Sequence, residues 1–427
     1  MAVLKSIIQA IINAGAVAIL PLFILILGLF FKVKFTKALK SGLLAGIGFK
    51  GLQLVVSFLV TTVTPIIKHY SGKGFNIVDV GWETLSAAAW ATKFAALIIP
   101  IGLVLNFVLI RFKLTKTLNV DIWNYWHLLR HAAILSLVLM AMGITGVPNF
   151  AISTAFGVFL SVLICYIGDR IAPWWQKYFG LEGTTCTTVL QTVTTLPIAV
   201  VTDKIISKIP GLNKINISYK LLDEKIGGFA SPTIIGAILG AFLGIITGQP
   251  LTAILQIAVG LAAVITLTPR MVSLFMEGIS PISSAARDYM IKKLGPDADF
   301  NIGVDIALGV GDQTTITVGV LMIPISIFLA FVLPGNAFFP IAFFGSSLTY
   351  AMATVCMITK GNVFRSLLIG IVYMVFTIYA FNYTAALCTQ FVVSSGVMQV
   401  PAGARVVAGG MNNFIDLLLA ALNNLVK

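Results

Sequence analysis

Long apolar runs, separated by short stretches that hold most of the charge, decide what this chain can become. Segments near 12–31, 40–63, 87–110, 130–147, 151–170, 229–247, 251–269, 316–333, 338–358 and 365–386 are apolar enough to lie in lipid. Each approaches or exceeds the roughly 18 helical residues that span a hydrocarbon core. In lipid every backbone N–H and C=O must find a partner within the protein, which leaves helices or a closed barrel. A barrel would read as short alternating segments, which this sequence lacks. The expected fold is an all-α polytopic membrane protein of about ten transmembrane helices. Composition agrees, with 58% hydrophobic and 10% charged residues against roughly a quarter charged in soluble proteins. Met1 to Ala14 reads as an interfacial lead-in to the first span rather than a cleaved signal.

The basic residues set the orientation. Lys32, Lys34, Lys37 and Lys40 follow the first run, and Arg111, Lys113 and Lys116 follow the third. Arg170, Lys177, Lys204, Lys208, Lys214, Lys220 and Lys225 follow the fifth; Arg270, Arg287, Lys292 and Lys293 the seventh; Lys360 and Arg365 the ninth. These are 20 of the 28 basic residues, and all fall on one side of the membrane. The opposite turns are mostly short and uncharged, apart from the loop after the second run with Lys68 and Lys73. The N-terminus is therefore expected outside and the basic loops in the cytoplasm, as for a multi-pass protein of a bacterial inner membrane. This asymmetry accounts for the net charge of +13 and points away from nucleic acid, for which there is no motif. Cys165, Cys186, Cys356 and Cys388 show no ligand-pair spacing and indicate neither a metal site nor a disulfide scaffold.

Leu181 to Pro197 breaks the pattern. It holds seven threonines, too polar to face lipid, between two basic stretches. Either it is a re-entrant hairpin buried in protein or an ordinary surface loop.

The chain also resembles itself. Phe75-Asn76-Ile77-Val78-Asp79 recurs as Phe300-Asn301-Ile302-Gly303-Val304-Asp305, with one inserted glycine. Some twenty residues on, Ile99-Pro100-Ile101 recurs as Ile323-Pro324-Ile325. A looser match joins Cys186-Thr187, ending at Pro197, to Cys388-Thr389, ending at Pro401. The copies are separated by an odd number of spans, so they must lie in opposite orientations. One transmembrane domain, 1–427, is expected to comprise two inverted five-helix repeats, 1–215 and 225–427, with re-entrant hairpins. Inverted repeats mark transporters, whose substrate site lies near the midplane where the halves meet.

Acidic groups at membrane depth are costly and mark function. Asp79 and Asp305 are the repeat-related pair, and Asp312 lies just beyond the second. An aspartate there can accept polyol hydroxyls or hold a hydroxyl proton during attack on a phosphoryl donor. A helix N-cap calls for the same residue at the same place. Gly81-Trp82 puts an aromatic face at a span entrance, suited to the C–H face of a sugar or to interfacial anchoring. Asp121, Asn124, His127 and His131 share a helical stripe beside Tyr125. They can hydrogen-bond a polyol or cap a cytoplasmic helix end. His127 and His131 are one turn apart, but no metalloprotease pattern accompanies them, and no metal or other cofactor is expected. There is no nucleotide-binding or hydrolase motif. An ion-coupled secondary transporter, and a membrane enzyme using the histidine stripe with a metal, remain as alternatives.

Several elements together resemble the enzyme IIC component of the phosphoenolpyruvate-dependent phosphotransferase system, galactitol type, within the ascorbate–galactitol superfamily. They are Val-Asp-Val-Gly-Trp at 78–82, Asn-Val-Asp-Ile-Trp-Asn-Tyr-Trp-His at 119–127 and Leu-Glu-Gly at 181–183. Lys208-Ile-Pro-Gly, Ile302-Gly-Val-Asp and Lys360-Gly-Asn-Val-Phe-Arg add to these. The resemblance implies a homodimeric elevator permease for a polyol or sugar, with spans 1, 2, 6 and 7 as scaffold and the rest as moving core. It implies separate IIA and IIB partners, the phosphocysteine of IIB phosphorylating the substrate at the cytoplasmic face. It also implies a pocket drawing on Gly81, Trp82, the Tyr125–His127 region, the hairpin near Thr187 and Thr188, and Asp305, which is expected to act in the chemistry. Family members commonly carry Pro-His-Gly where this chain has Thr187-Thr188-Val189. Many also continue into a further span, whereas Met411 to Lys427 here is expected to form an amphipathic helix on the outer face.

Overall fold

A computed structural model describes residues 16–70, 75–119, 121–226, 231–294, 300–340, 342–344, 347–400 and 403–426. The predicted lead-in at Met1–Ala14, Lys73 and Pro401 lie outside the described residues. The first half runs α1 (Ala16–Phe30), α2 (Phe35–Tyr70), β1 (Ile77–Asp79), α3 (Gly81–Trp90), α4 (Ala95–Arg111) and β2 (Thr117–Asn119). It continues through α5 (Tyr125–Ala141), α6 (Gly146–Phe179), β3 (Thr184–Cys186) and α7 (Leu196–Ile206). After α8 (Tyr219–Ile226) come α9 (Pro232–Ile246), α10 (Leu251–Leu294), β4 (Asn301–Val304) and α11 (Gln313–Val332). The chain closes with α12 (Ser347–Thr359), α13 (Val363–Ser395), β5 (Arg405–Val407) and α14 (Phe414–Val426).

Among the described residues α6, α11 and α13 are long and apolar enough to cross a membrane unaided, and further apolar helices are shorter. The chain is thus a mostly helical polytopic membrane protein. Two predicted spans are not continuous. The run 87–110 is broken between α3 and α4 by an 86° bend, where Thr92 turns its hydroxyl back to Ala89 O at 2.7 Å. Among the described residues of the run 338–358 the α-helix comprises Ser347 onward, while Phe338 bridges to Ile77 and 342–344 form a 3-10 turn. Pro340 lacks the N–H that a helix through this stretch would need.

The chain divides into two compact units, one of residues 1–53, 86–188 and 270–308, the other of 54–85, 189–269 and 309–427. Non-helical backbone at membrane depth must still pair its polar groups, and each unit does so with short parallel strands. In the first unit β4 lies between β2 and β3. Leu118 is opposite Ile302, and Thr185 opposite Gly303. In the second unit β1 pairs with β5, Val78 opposite Val406, while the N–H groups of Asn76 and Ile77 both reach Ala337 O at 3.0 Å. Each unit therefore holds one strand from the half of the sequence that supplies little else to its sheet.

Cys388 and Thr389 lie inside α13, whereas Cys186 ends β3. The looser sequence match does not join equivalent places; the strand that follows α13 is Arg405–Val407. Apolar patterning made Cys-Thr look shared because two adjacent residues carry too little information to separate helix from strand.

Small residues bring helices together. A Cβ on Gly240 would lie 2.6 Å from both Ala258 Cα and Ile257 O, and Cβ atoms on Gly236 and Gly244 would lie 2.7 Å from Ile265 Cδ1 and 2.9 Å from Ile254 Cγ1 of α10. These three glycines, spaced four apart, form one seam between α9 and α10, the close approach that membrane helices use in place of a hydrophobic drive. Gly278 abuts the backbone at Ser41 and Ala45 of α2, and Gly42 abuts Pro21 of α1.

α14 differs from its predicted setting. Asp416, Leu419, Ala420 and Asn423 are its buried residues, whereas Leu418 and Leu425 are 61% and 82% exposed. Its buried side is mixed, Asp416 and Asn423 beside Leu419 and Ala420, whereas a helix lying in a membrane–water interface would keep such polar residues in water.

Candidate functional site

Parallel strands align their carboxyl ends, so whatever follows each strand arrives at one edge. In the first unit β2, β3 and β4 end at Asn119, Cys186 and Val304, and Asp121, Thr187 with Thr188, and Asp305 come next. Ligands of open parallel sheets commonly sit at this edge.

The strands are held by polar side chains from the flanking helices. Asn106 of α4 donates to Thr117 O at 2.8 Å and accepts from Asn119 N at 2.9 Å, copying a strand neighbour for the edge of β2. Asp169 of α6 accepts from Thr115 Oγ1, Thr117 Oγ1 and Lys116 N at 2.7–3.0 Å. Gln176 donates to Thr184 O at 3.1 Å and to Asn301 Oδ1 at 2.8 Å, joining the entries of β3 and β4. Gly303 makes the three-strand approach possible, since a Cβ there would lie 2.5 Å from Thr187 Cγ2.

At the edge, one carboxamide connects two carboxyl groups. Asn124 Nδ2 donates to Asp121 Oδ2 at 2.5 Å and to Asp305 Oδ2 at 2.8 Å. An amide NH2 has two hydrogens, so each carboxyl group takes one. Asp305 Oδ1 accepts from Ala307 N at 2.8 Å, turning the chain into the 3-10 segment 306–311. Thr188 Oγ1 accepts from Ile306 N at 2.9 Å and approaches Asp305 Oδ1 at 3.5 Å. Thr187 N donates to Val304 O at 3.0 Å. Both aspartates retain lone pairs beyond these bonds, a set of acceptors matched to hydroxyl donors.

α5 begins at this edge. Its first residues are buried, and Tyr125 Oη and His127 Nδ1 have no hydrogen-bond partner. The His127 ring lies on Trp126 with centroids 3.7 Å apart. Arg130, fully buried, donates from Nη2 to His131 Nε2 at 3.0 Å. Guanidinium only donates, so His131 is neutral with its proton on Nδ1.

Of the residues proposed from sequence, Asp121, Tyr125, His127, Thr187, Thr188 and Asp305 fall in this unit, and Asp121, Thr188 and Asp305 meet around Asn124 and Ile306. Asp79, Gly81, Trp82 and Asp312 belong to the second unit. There Asp79 Oδ1 accepts from Gly81 N at 3.2 Å and Oδ2 from Phe343 N at 2.8 Å, and Trp82 is half-buried. Asp312 caps α11, accepting from Thr315 N at 2.8 Å and Thr315 Oγ1 at 2.9 Å. Among the described residues no three His, Cys, Asp or Glu side chains converge as a metal site. Asn106, Asp169 and Gln176 were not singled out from the sequence. A lone asparagine in Leu-Val-Leu-Asn-Phe-Val-Leu was the available signal, because an unpaired carboxamide in a span is costly.

The family described as the PTS system sugar-specific permease component matches residues 10–403. The galactitol-specific EIIC component of the phosphotransferase system of Escherichia coli K12 is 32% identical over 417 residues, covering 96% of this chain and 88% of that protein. A putative permease IIC component of the same strain is 31% identical over 425 residues, covering 97% of this chain and 93% of its own length.

Proposed function

Since this chain belongs to the sugar-specific permease components of the phosphotransferase system, we propose that it carries an acyclic polyol of the galactitol kind at the Asp121–Asn124–Asp305 edge. Asp121 and Asp305 accept hydroxyls there, with Thr188, Tyr125 and His127 available to bond the rest of the polyol chain. The carrying observation is the pair of buried carboxyl groups bracketing one carboxamide at the carboxyl ends of three parallel strands.

In the coupled reaction a substrate hydroxyl oxygen attacks the phosphorus of the IIB phosphocysteine. The new O–P bond forms as the S–P bond breaks, the cysteine thiolate leaves with IIB, and the hydroxyl proton passes to the Asp305 carboxylate. A base in hydrogen-bond reach of that hydroxyl is what this step requires. IIA and IIB are separate partners, IIB docking on the cytoplasmic side.

The chain works as a homodimeric elevator in the inner membrane, with ten spans, the N-terminus outside and two inverted repeats, 1–215 and 225–427. α1, α2, α9 and α10 form the scaffold, a reading supported by the glycine contacts at Gly42, Gly240 and Gly278 that pack these helices on one another. The shared motif at 75–79 and 300–305, with a strand at each copy, supports the repeat.

Membranes containing the chain, cognate IIA and IIB, and a phosphoenolpyruvate supply would be offered hexitols, pentitols and hexoses. Galactitol or a related polyol is expected to be phosphorylated, and Asp305→Asn to abolish this while the protein remains inserted and folded. Phosphorylation by that variant at close to the normal rate would remove Asp305 from the chemistry. Uptake that needs a sodium or proton gradient rather than IIB would replace the whole proposal with an ion-coupled transporter.

A further inference from the structure

The second unit holds a buried polar cluster that the site above does not use. In this unit every described side-chain atom that is buried without a hydrogen-bond partner is an oxygen, including Gln191 Oε1, Thr194 Oγ1, Asn412 Oδ1 and Asn423 Oδ1. All four residues are at most 2% exposed. In the first unit the equivalent set includes ring nitrogens such as Trp90 Nε1 and His127 Nδ1. The amide oxygens of the second unit call for donors, and its threonine hydroxyls can take either role.

The oxygens sit on elements that touch. Gln191 and Thr194 lie in a π-turn, 191–195, against which α14 packs. Asn412 Nδ2 donates to Tyr373 Oη at 3.1 Å and Thr377 Oγ1 at 3.0 Å, and Thr195 lies beside the same tyrosine hydroxyl. Asp416, fully buried, follows one turn after Asn412, and its N–H is capped by Asn413 Oδ1 at 2.9 Å. π-turns inside helices recur at functional sites. Buried acceptors without donors are rare in native chains unless a ligand or ordered water completes them.

We infer that Gln191, Thr194 and Asn412 form a second hydroxyl-binding station, which takes the O–H donors of the polyol during its passage through the chain. This rests on the polyol permease proposed above. A polyol suits the cluster because it is neutral and brings one donor per carbon, while the waiting oxygens are uncharged amide and hydroxyl groups.

The test is galactitol binding to the purified full-length chain by calorimetry, with heat unfolding measured in parallel without polyol. Thr194→Val removes an oxygen that has no partner, so polyol-free stability should hold or rise while affinity falls roughly 3–10-fold, the worth of one hydrogen bond. Gln191→Met, which removes the unpartnered Gln191 Oε1, should weaken binding by a similar factor. Unchanged galactitol affinity in both variants overturns the station and leaves only ordered water or packing. Affinity that falls only in step with lower polyol-free stability overturns it as well. A sodium-dependent rise in unfolding temperature, lost in both variants while galactitol affinity stays normal, would assign a cation instead. Loss of phosphorylation in Asp305→Asn with normal binding by Thr194→Val and Gln191→Met removes this inference alone. A wild-type chain that binds no polyol removes both.

Discussion

Replacing Gly303 by alanine adds one methyl group at the place where three strands meet. The backbone of Gly303 is outside the left-handed region, so the substitution brings no conformational strain and its effect is steric. The new Cβ would lie 2.5 Å from Thr187 Cγ2, 3.0 Å from Thr187 Oγ1 and 3.2 Å from Asn119 Cα. Carbon atoms rest about 3.5–4.0 Å apart, so Thr187 must retreat by roughly 1 Å. It has little room, being 1% exposed and tied through its N–H to Val304 O. The displacement therefore passes to Thr188, whose hydroxyl accepts from Ile306 N and approaches Asp305. Overpacking of this kind costs about 1–3 kcal/mol, and a displacement near 1 Å at a reacting geometry costs about 100-fold in rate. Phosphorylation by IIB in membranes, together with thermal unfolding of the purified protein, reads both effects. Thr187→Ser removes the nearer atom, so the Gly303→Ala/Thr187→Ser pair should recover most of the lost rate and stability. A single Gly303→Ala variant that phosphorylates at the wild-type rate, or a pair no better than the single, refutes the steric account.

Asn124→Leu takes one donor from each of Asp121 and Asp305, which at about 1–3 kcal/mol for an unsatisfied buried group should lower the unfolding temperature and abolish phosphorylation together. Asp312→Ala should cost about 1 kcal/mol, the worth of an N-cap, with polyol affinity kept if capping is its whole task; calorimetric binding beside a melting curve separates the two. Gly240→Ala forces α9 away from Ala258 and Ile257 and should destabilise the purified protein by about 1–3 kcal/mol, with no change in which polyol is phosphorylated.

Membrane residence and helical character were legible in the sequence alone, because lipid admits only backbones that satisfy themselves and apolar length is a local property. So was the polar character of 181–197, which had to be buried against protein or excluded from lipid. Asp305 could be named for the cost of a carboxyl group at that depth, and Asp121 from its helical stripe and the 119–127 motif, whose resemblance to one permease family agrees with the family match. Only the tertiary structure decided which residues meet. Asn124 joins two aspartates 184 positions apart in the chain, and Gly303 is small because Thr187 approaches it. Strands of three or four residues leave no periodicity to read, so the passage of β4 between β2 and β3 had no local sign. The burial of Asp416 and Asn423 in α14 was hidden for a related reason: amphipathic spacing identifies two faces but not which one meets protein, and that choice belongs to the side chains of α13 and the 191–195 turn packed against it.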